Sequence, residues 1–309
     1  MSSLKYVKFN ARGLIPPVFT PLKKDLTINY EVIPRYVDFI HKSGIKGLMV
    51  GGTAGGHMCH SLVEKKILVE EWVKAAKERD LHVMVQVGGT AMPDVLDMVQ
   101  HCVRTGVDSI LTLPEIYFRP KNLTELVDYV ETVAKAAQDL PVLYYHIPHM
   151  TNVSVSMPAF VAEANKRIPN FKGIKFSSND LSEAAQVLRN LKDDQQILLG
   201  SATLLAPAAL LGIKSSIGTI YNFMPKLAQG ILEAIEASDV NKARKLQEQL
   251  SLAIEAHVPE GGWVPVMKVG MEIVTGIPVG PAAAPQKPVT EDGKKRIEER
   301  LRKLGLLEA

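Results

Sequence analysis

Short β-branched or apolar runs alternate with longer stretches of helical period along most of the chain, the pattern of a parallel sheet covered by helices. Strands are predicted at Gly13 to Phe19, Gly47 to Val50, His82 to Val87, Ser109 to Leu113, Val142 to His146, Gly173 to Phe176, Ile197 to Leu199 and Ser216 to Thr219. The amphipathic segments between them have legible starts. Ser61 and Glu64 form a capping box, and Asn29, Pro93, Asn122 and Asp180 open others. Eight strands, each followed by a helix, close most economically into a barrel, because parallel strands need helical crossovers and a closed sheet has no exposed edge. An open doubly wound sheet is the alternative. Further helices are predicted over Asn241 to His257, Val264 to Thr275 and Asp292 to Leu304, with the Pro-rich Ile277 to Pro288 as connector. The expected architecture is an α/β TIM (β/α)8 barrel, its core in residues 1–225. Residues 226–309 supply the eighth barrel helix and a C-terminal helical extension of the same structural unit.

Composition adds exclusions. Apolar residues make up 46% of the 309, enough for one large core, although the length alone also permits two smaller domains. The 36 Lys and Arg nearly cancel the 33 Asp and Glu and are scattered among them, which argues against a nucleic-acid or anionic-membrane partner. Met1 to Asn10 lacks the uninterrupted hydrophobic region of a signal peptide. Apolar stretches such as Leu204 to Gly212 are too short for a bilayer, so a cytoplasmic protein is expected. Cys59 and Cys102 are too few for a disulfide framework and stand in no CxxC.

In a (β/α)8 barrel the reactive side chains sit at the C-terminal ends of the strands. The sixth predicted strand carries Lys175 inside an apolar run. Burying an ammonium ion in this way favours the free amine, a nucleophile toward carbonyls; the alternative is a lysine that snorkels or pairs with a carboxylate. The fifth strand supplies Tyr144-Tyr145-His146. Tyr145 beside a cationic nitrogen would move protons as general acid and base, while the alternative is a tyrosine packed in the core. After the second strand, Gly51-Gly52-Thr53-Ala54-Gly55-Gly56 forms a turn whose backbone N–H groups can hold a carboxylate, or which serves only as a tight turn. His57, His60, His146 and His149 also fall near strand ends, but they lack tetrahedral ligand spacing, so no metal is expected. His57 is read instead as a polar contact to substrate.

Together these pieces resemble the pyruvate-dependent aldolases related to N-acetylneuraminate lyase and dihydrodipicolinate synthase, over nearly the whole chain. The resemblance is carried by the Gly-Gly-Thr turn at Gly51 to Gly55, Leu113-Pro114-Glu115-Ile116-Tyr117, Tyr144 to Pro148, Gly173 to Ser177 and Ser216 to Asn222. The late element Thr275 to Pro281 looks most like the animal sialate lyases. The resemblance implies a class I lyase or aldolase that needs no cofactor, because Lys175 itself forms an imine with a small 2-keto acid. Tyr145 would transfer the proton, Thr53 would carry its hydroxyl relay, and Tyr117 from a neighbouring subunit would complete it. Gly52, Thr53 and Ala54 would hold the keto acid's carboxylate, with Ser177, Gly200, Ala202, Thr203 and Thr219 around the rest of the substrate. A homotetramer built as a pair of dimers is the implied assembly.

Two departures from the family pattern shift the expected substrate. The turn lacks a second hydroxyl and a carboxylate, at Ala54 and Gly56, and losing the hydroxyl would cost on the order of 1 to 2 kcal/mol of carboxylate binding. Where sialate lyases place an Asp-Glu pair for the sugar's polyol chain, this chain has Ala202 and Thr203. A smaller or less polar aldehyde is therefore expected. The Gly200-Ser201-Ala202 wording is shared with 4-hydroxy-2-oxoglutarate aldolases, an alternative activity, and a catalytically weakened keto-acid-binding protein is another. A dehydratase or cyclising enzyme of the same superfamily usually carries an arginine after the fifth strand, which His149-Met150-Thr151-Asn152 does not offer.

Overall fold

A computed structural model describes residues 9–307. Its strands are β1 (Leu14–Ile15), β2 (Gly47–Val50), β3 (His82–Val87), β4 (Ser109–Thr112), β5 (Val142–His146), β6 (Phe171–Phe176), β7 (Gln196–Leu199) and β8 (Ser215–Ile217). All pair in parallel, in the order β1-β8-β7-β6-β5-β4-β3-β2. The remaining seam, between β1 and β2, is closed by a bridge from Pro17 to Met49, with Val18 N–H donating to the Met49 carbonyl at 2.9 Å. This is the predicted TIM barrel rather than an open sheet. Met1 to Asn10, on which the leader argument rests, lies outside the described residues apart from Phe9 and Asn10. Among the described residues no helix is long and apolar enough to cross a membrane.

Most predicted elements stand where expected, and the exceptions have local causes. The first strand shrinks from Gly13–Phe19 to two residues because Pro16 and Pro17 have no N–H to donate to a ladder. The last strand ends at Ile217, and Thr219 opens a 3-10 turn, Thr219–Asn222. Ser61, Asn122 and Asp180 cap their helices as read, the first in a full capping box. Asn29 does not. It precedes a 3-10 turn, Tyr30–Val32, and the helix proper begins at Ile33. The C-terminal helices span Val240–Glu255, Trp263–Thr275 and Glu291–Lys303.

Alternation along each strand separates two apolar clusters. Ile15, Met49, Met84, Leu111, Leu143 and Leu198 fill the barrel interior, while Val50, Val85, Ile110, Ile174 and Phe176 face the helices. On β6 the phase is set by a bulge: Val142 pairs with Phe171 but Leu143 pairs with Gly173, leaving Lys172 as the extra residue. Phe171 thus packs outward, whereas Gly173 and Lys175 point into the barrel. Gly173 absorbs the irregularity at φ +122°, where an added Cβ would lie 1.8 Å from the Gln196 carbonyl oxygen. Gly173→Ala is expected to cost about 3 kcal/mol or more, through backbone strain plus that overlap, read as a fall in the denaturation midpoint.

Candidate active site

The interior column ends at the strands' C-terminal edge in a cavity of about 460 Å³, large enough for a small ligand. Lys175 and Tyr145 stand at its floor. They are in register on adjacent strands, and both are buried, at 4% and 2% exposure. The Lys175 Nζ lies 3.9 Å from the centre of the Tyr145 ring. Burial alone raises a phenol's pKa. At Tyr145 the Lys175 charge, together with hydrogen bonding from Lys175, Thr53 and Ser177, outweighs it, and the net shift is downward. Thr53 and Tyr145 share a hydrogen bond of 3.3 Å between their hydroxyls. An amine and an acidified phenol in one dry floor suit imine formation followed by proton transfer.

One wall of the cavity is the turn after β2. Among the described residues, the backbone N–H groups of Thr53 and Ala54 have no protein acceptor, so they are available to a carboxylate. The turn is held from behind. Thr20 donates its hydroxyl to the Gly55 carbonyl at 2.7 Å, and the buried Lys268 ammonium in turn donates to the carbonyls of Thr20, at 2.9 Å, and Pro281, at 2.5 Å. Lys268 therefore ties the C-terminal connector to the turn.

Burial pushes the Lys268 pKa from 10.5 down to about 7, against a smaller upward pull from Glu272. The folded state then binds this proton less tightly than the unfolded chain, so stability gained through Lys268 grows as pH rises from about 7 toward 10.5. Wild type should accordingly gain stability relative to Lys268→Met over that range in paired denaturation curves.

Of the residues singled out from sequence, Lys175, Tyr145, Thr53, Ala54, Ser177, Gly200, Ala202, Thr203 and Thr219 all line this one cavity. Gly52 and His57 do not. Gly52 backs onto Met49, whose methyl would meet an added Cβ at 2.1 Å. Gly56 adopts a left-handed conformation, φ +64°, that turns the chain down into the 3-10 turn His57–Cys59. The His57 ring is thereby buried beneath the loop with Gln86 and Leu68, where burial pushes its pKa to about 3. It is not a polar contact at the mouth. Tyr117 is 82% exposed on the loop after β4, stacked edge-on against Phe118, and does not reach the cavity of its own chain. Among the described residues no cluster of three His, Cys, Asp or Glu could hold a metal ion.

The cavity also takes in His149, which the sequence places near a strand end without a role toward substrate, and residues the sequence does not single out: Met150 beside it in the short helix Pro148–Thr151, Asn179 after β6, and Ile254 and Trp263 from the C-terminal helices. Trp263 donates its indole N–H to the Thr219 hydroxyl at 3.2 Å. A Gly-Gly pair directly before Trp263 was the one local sign of a tight approach there.

The sequence model of the dihydrodipicolinate synthetase family matches residues 10–304. N-acetylneuraminate lyase of Rattus norvegicus is 31% identical over 306 residues, covering 98% of this chain and 96% of the relative. N-acetylneuraminate lyase A of Xenopus laevis is 34% identical, covering 96% and 97%. Among solved structures, the N-acetylneuraminate lyase (sialic acid aldolase) of Aliivibrio salmonicida superposes with a TM-score of 0.91 at 30% identity, covering 97% of this chain and 98% of that one.

Proposed function

The chain belongs to the dihydrodipicolinate synthetase family, and on that footing we propose that it is a carbon–carbon lyase or aldolase that binds a small 2-keto acid, with pyruvate the first choice, as an imine on Lys175. The observation that carries this reading is the buried Lys175 amine held 3.9 Å over the Tyr145 ring at the floor of the cavity. The amine adds to the keto carbon and water leaves. In cleavage, the Tyr145 phenolate takes the proton from the C4 hydroxyl, the C3–C4 bond breaks, the aldehyde departs, and the bonding pair moves into the iminium to give an enamine. Protonation at C3 and hydrolysis by water return the keto acid and the free lysine. Thr53 holds the phenol through their shared hydrogen bond, and the free N–H groups of Thr53 and Ala54 take the carboxylate. Ser177, Gly200, Ala202, Thr203 and Thr219 surround the rest of the substrate.

Tyr117 enters the relay only from a neighbouring copy, so the reading includes a homotetramer, placed in the cytoplasm. N-acetylneuraminate is not the preferred substrate in this reading, because Ala202 and Thr203 bring no charged acceptor to a polyol chain. Each ligand hydroxyl left buried without a partner costs about 1 to 3 kcal/mol. A site that still binds keto acid but turns over poorly is the second reading, favoured by Ala54, Gly56 and Ala202. The test is incubation with pyruvate and borohydride, which should leave a stable mass gain of one reduced pyruvate unit. Turnover of a 2-keto-4-hydroxy acid near about 10 per second, a usual enzyme rate, would remove the second reading. Absence of the adduct would remove both.

A further inference from the structure

We infer that the aldehyde half of the site takes a neutral aldehyde bearing an apolar or aromatic group, with the indole of Trp263 as the residue that selects it; this rests on the imine reading above. Among the described residues Lys175 is the only Asp, Glu, Lys or Arg side chain along the cavity lining, and it is committed to the keto acid. No cation is left for a second carboxylate and no carboxylate for a sugar's hydroxyls. Several of the neutral polar groups bond one another. Thr219 accepts from Trp263, and the Ser201 and Thr203 hydroxyls bond each other at 3.1 Å. His149 and Asn179 lie at the exposed rim. What faces a departing aldehyde is therefore mostly carbon, from Ile147, Met150, Ala202, Ile254 and the indole of Trp263.

The indole is held in place although it is 41% exposed. Its N–H is fixed by Thr219, so it offers its carbon surface to a ligand. The 3-10 turn just before it, Val258–Glu260, is clamped by the last helix: Glu260 receives Arg296 at 2.7 Å and Arg300 at 2.6 Å through separate oxygens. A flat apolar group packed on a fixed aromatic face gains without losing much side-chain freedom. A polyhydroxylated chain in the same place exchanges water for groups that are already bonded.

The experiment is condensation of pyruvate with benzaldehyde, acetaldehyde and N-acetylmannosamine by the wild-type protein, Trp263→Ala and Trp263→Phe, with borohydride trapping of pyruvate run alongside. The expected wild-type kcat/KM for benzaldehyde exceeds that for N-acetylmannosamine about tenfold or more. Trp263→Ala should shrink the benzaldehyde-to-acetaldehyde ratio about tenfold, and Trp263→Phe should retain most of it. A trapped pyruvate adduct combined with preference for N-acetylmannosamine overturns the apolar subsite alone, as does an unchanged ratio in Trp263→Ala. If Trp263→Ala fails to fold, the wild-type ranking and Trp263→Phe decide. No wild-type adduct overturns the imine reading and this inference with it.

Discussion

Lys175→Ala is expected to abolish the borohydride-trapped pyruvate adduct and to lower kcat by about 10⁴-fold or more, since no other group in the cavity can become an imine. Among the described residues Lys175 forms no ion pair, and nearly all of it is buried in the barrel. In the imine reading its position answers an electrophile it must meet rather than a charge it must balance. β6 carries an internal control. Lys172, three residues earlier, is also buried, but it faces away from the cavity and is bonded to Asp194. Lys172→Ala should cost stability, by leaving a carboxylate without its partner, and should keep the adduct. Lys175→Arg separates charge from nucleophilicity: it retains a cation beside Tyr145 but cannot form the imine, so it should be as inactive as the alanine variant. A trapped adduct on Lys175→Ala, at Lys268 or elsewhere, would refute the assignment.

The contrast between these two lysines shows what was legible in the sequence. Both sit in the same apolar run, and composition alone gives each the option of pairing with a carboxylate. Alternation alone sets Lys172 and Lys175, three residues apart, on opposite faces; what no hydrophobic pattern announces is the bulge at Gly173, φ +122°, which turns Phe171 outward as well. Strands β2, β3 and β5 could be read to the residue because their β-branched and aromatic runs are bounded by turn residues. β1 was overread because its apolar pattern continues through two prolines that cannot join a ladder.

The site divides along the same line. Lys175, Tyr145 and the Thr53 turn announce themselves as polar or glycine-rich interruptions at strand ends. His149 and Asn179 follow the ends of β5 and β6 and Trp263 opens the helix Trp263–Thr275, and only closure of the barrel brings the three together. His57 was misplaced for the converse reason: it follows a strand end in sequence, but the left-handed Gly56 folds it under the turn.

Tyr145→Phe carries the second largest expected effect, a fall in kcat of about 10²- to 10⁴-fold, the usual worth of a positioned acid–base group. The substitution is narrow. The ring under the Lys175 ammonium remains, so the cation still has its aromatic neighbour, and only the hydroxyl bonded to Thr53 is lost. Imine formation does not consume the phenolic proton in its net balance, and pyruvate should still be trapped by borohydride. C–C cleavage requires a base at the C4 hydroxyl and should collapse. The pH profile distinguishes this from a merely structural loss. Because the Lys175 charge and hydrogen bonding bring the phenol below its ordinary pKa despite burial, the wild-type cleavage rate should climb with pH along a limb that lies below the ordinary tyrosine range. That limb should be absent from Tyr145→Phe. A variant that kept the limb, or lost adduct and turnover together, would show that the phenol only packs the floor and that another group moves the proton.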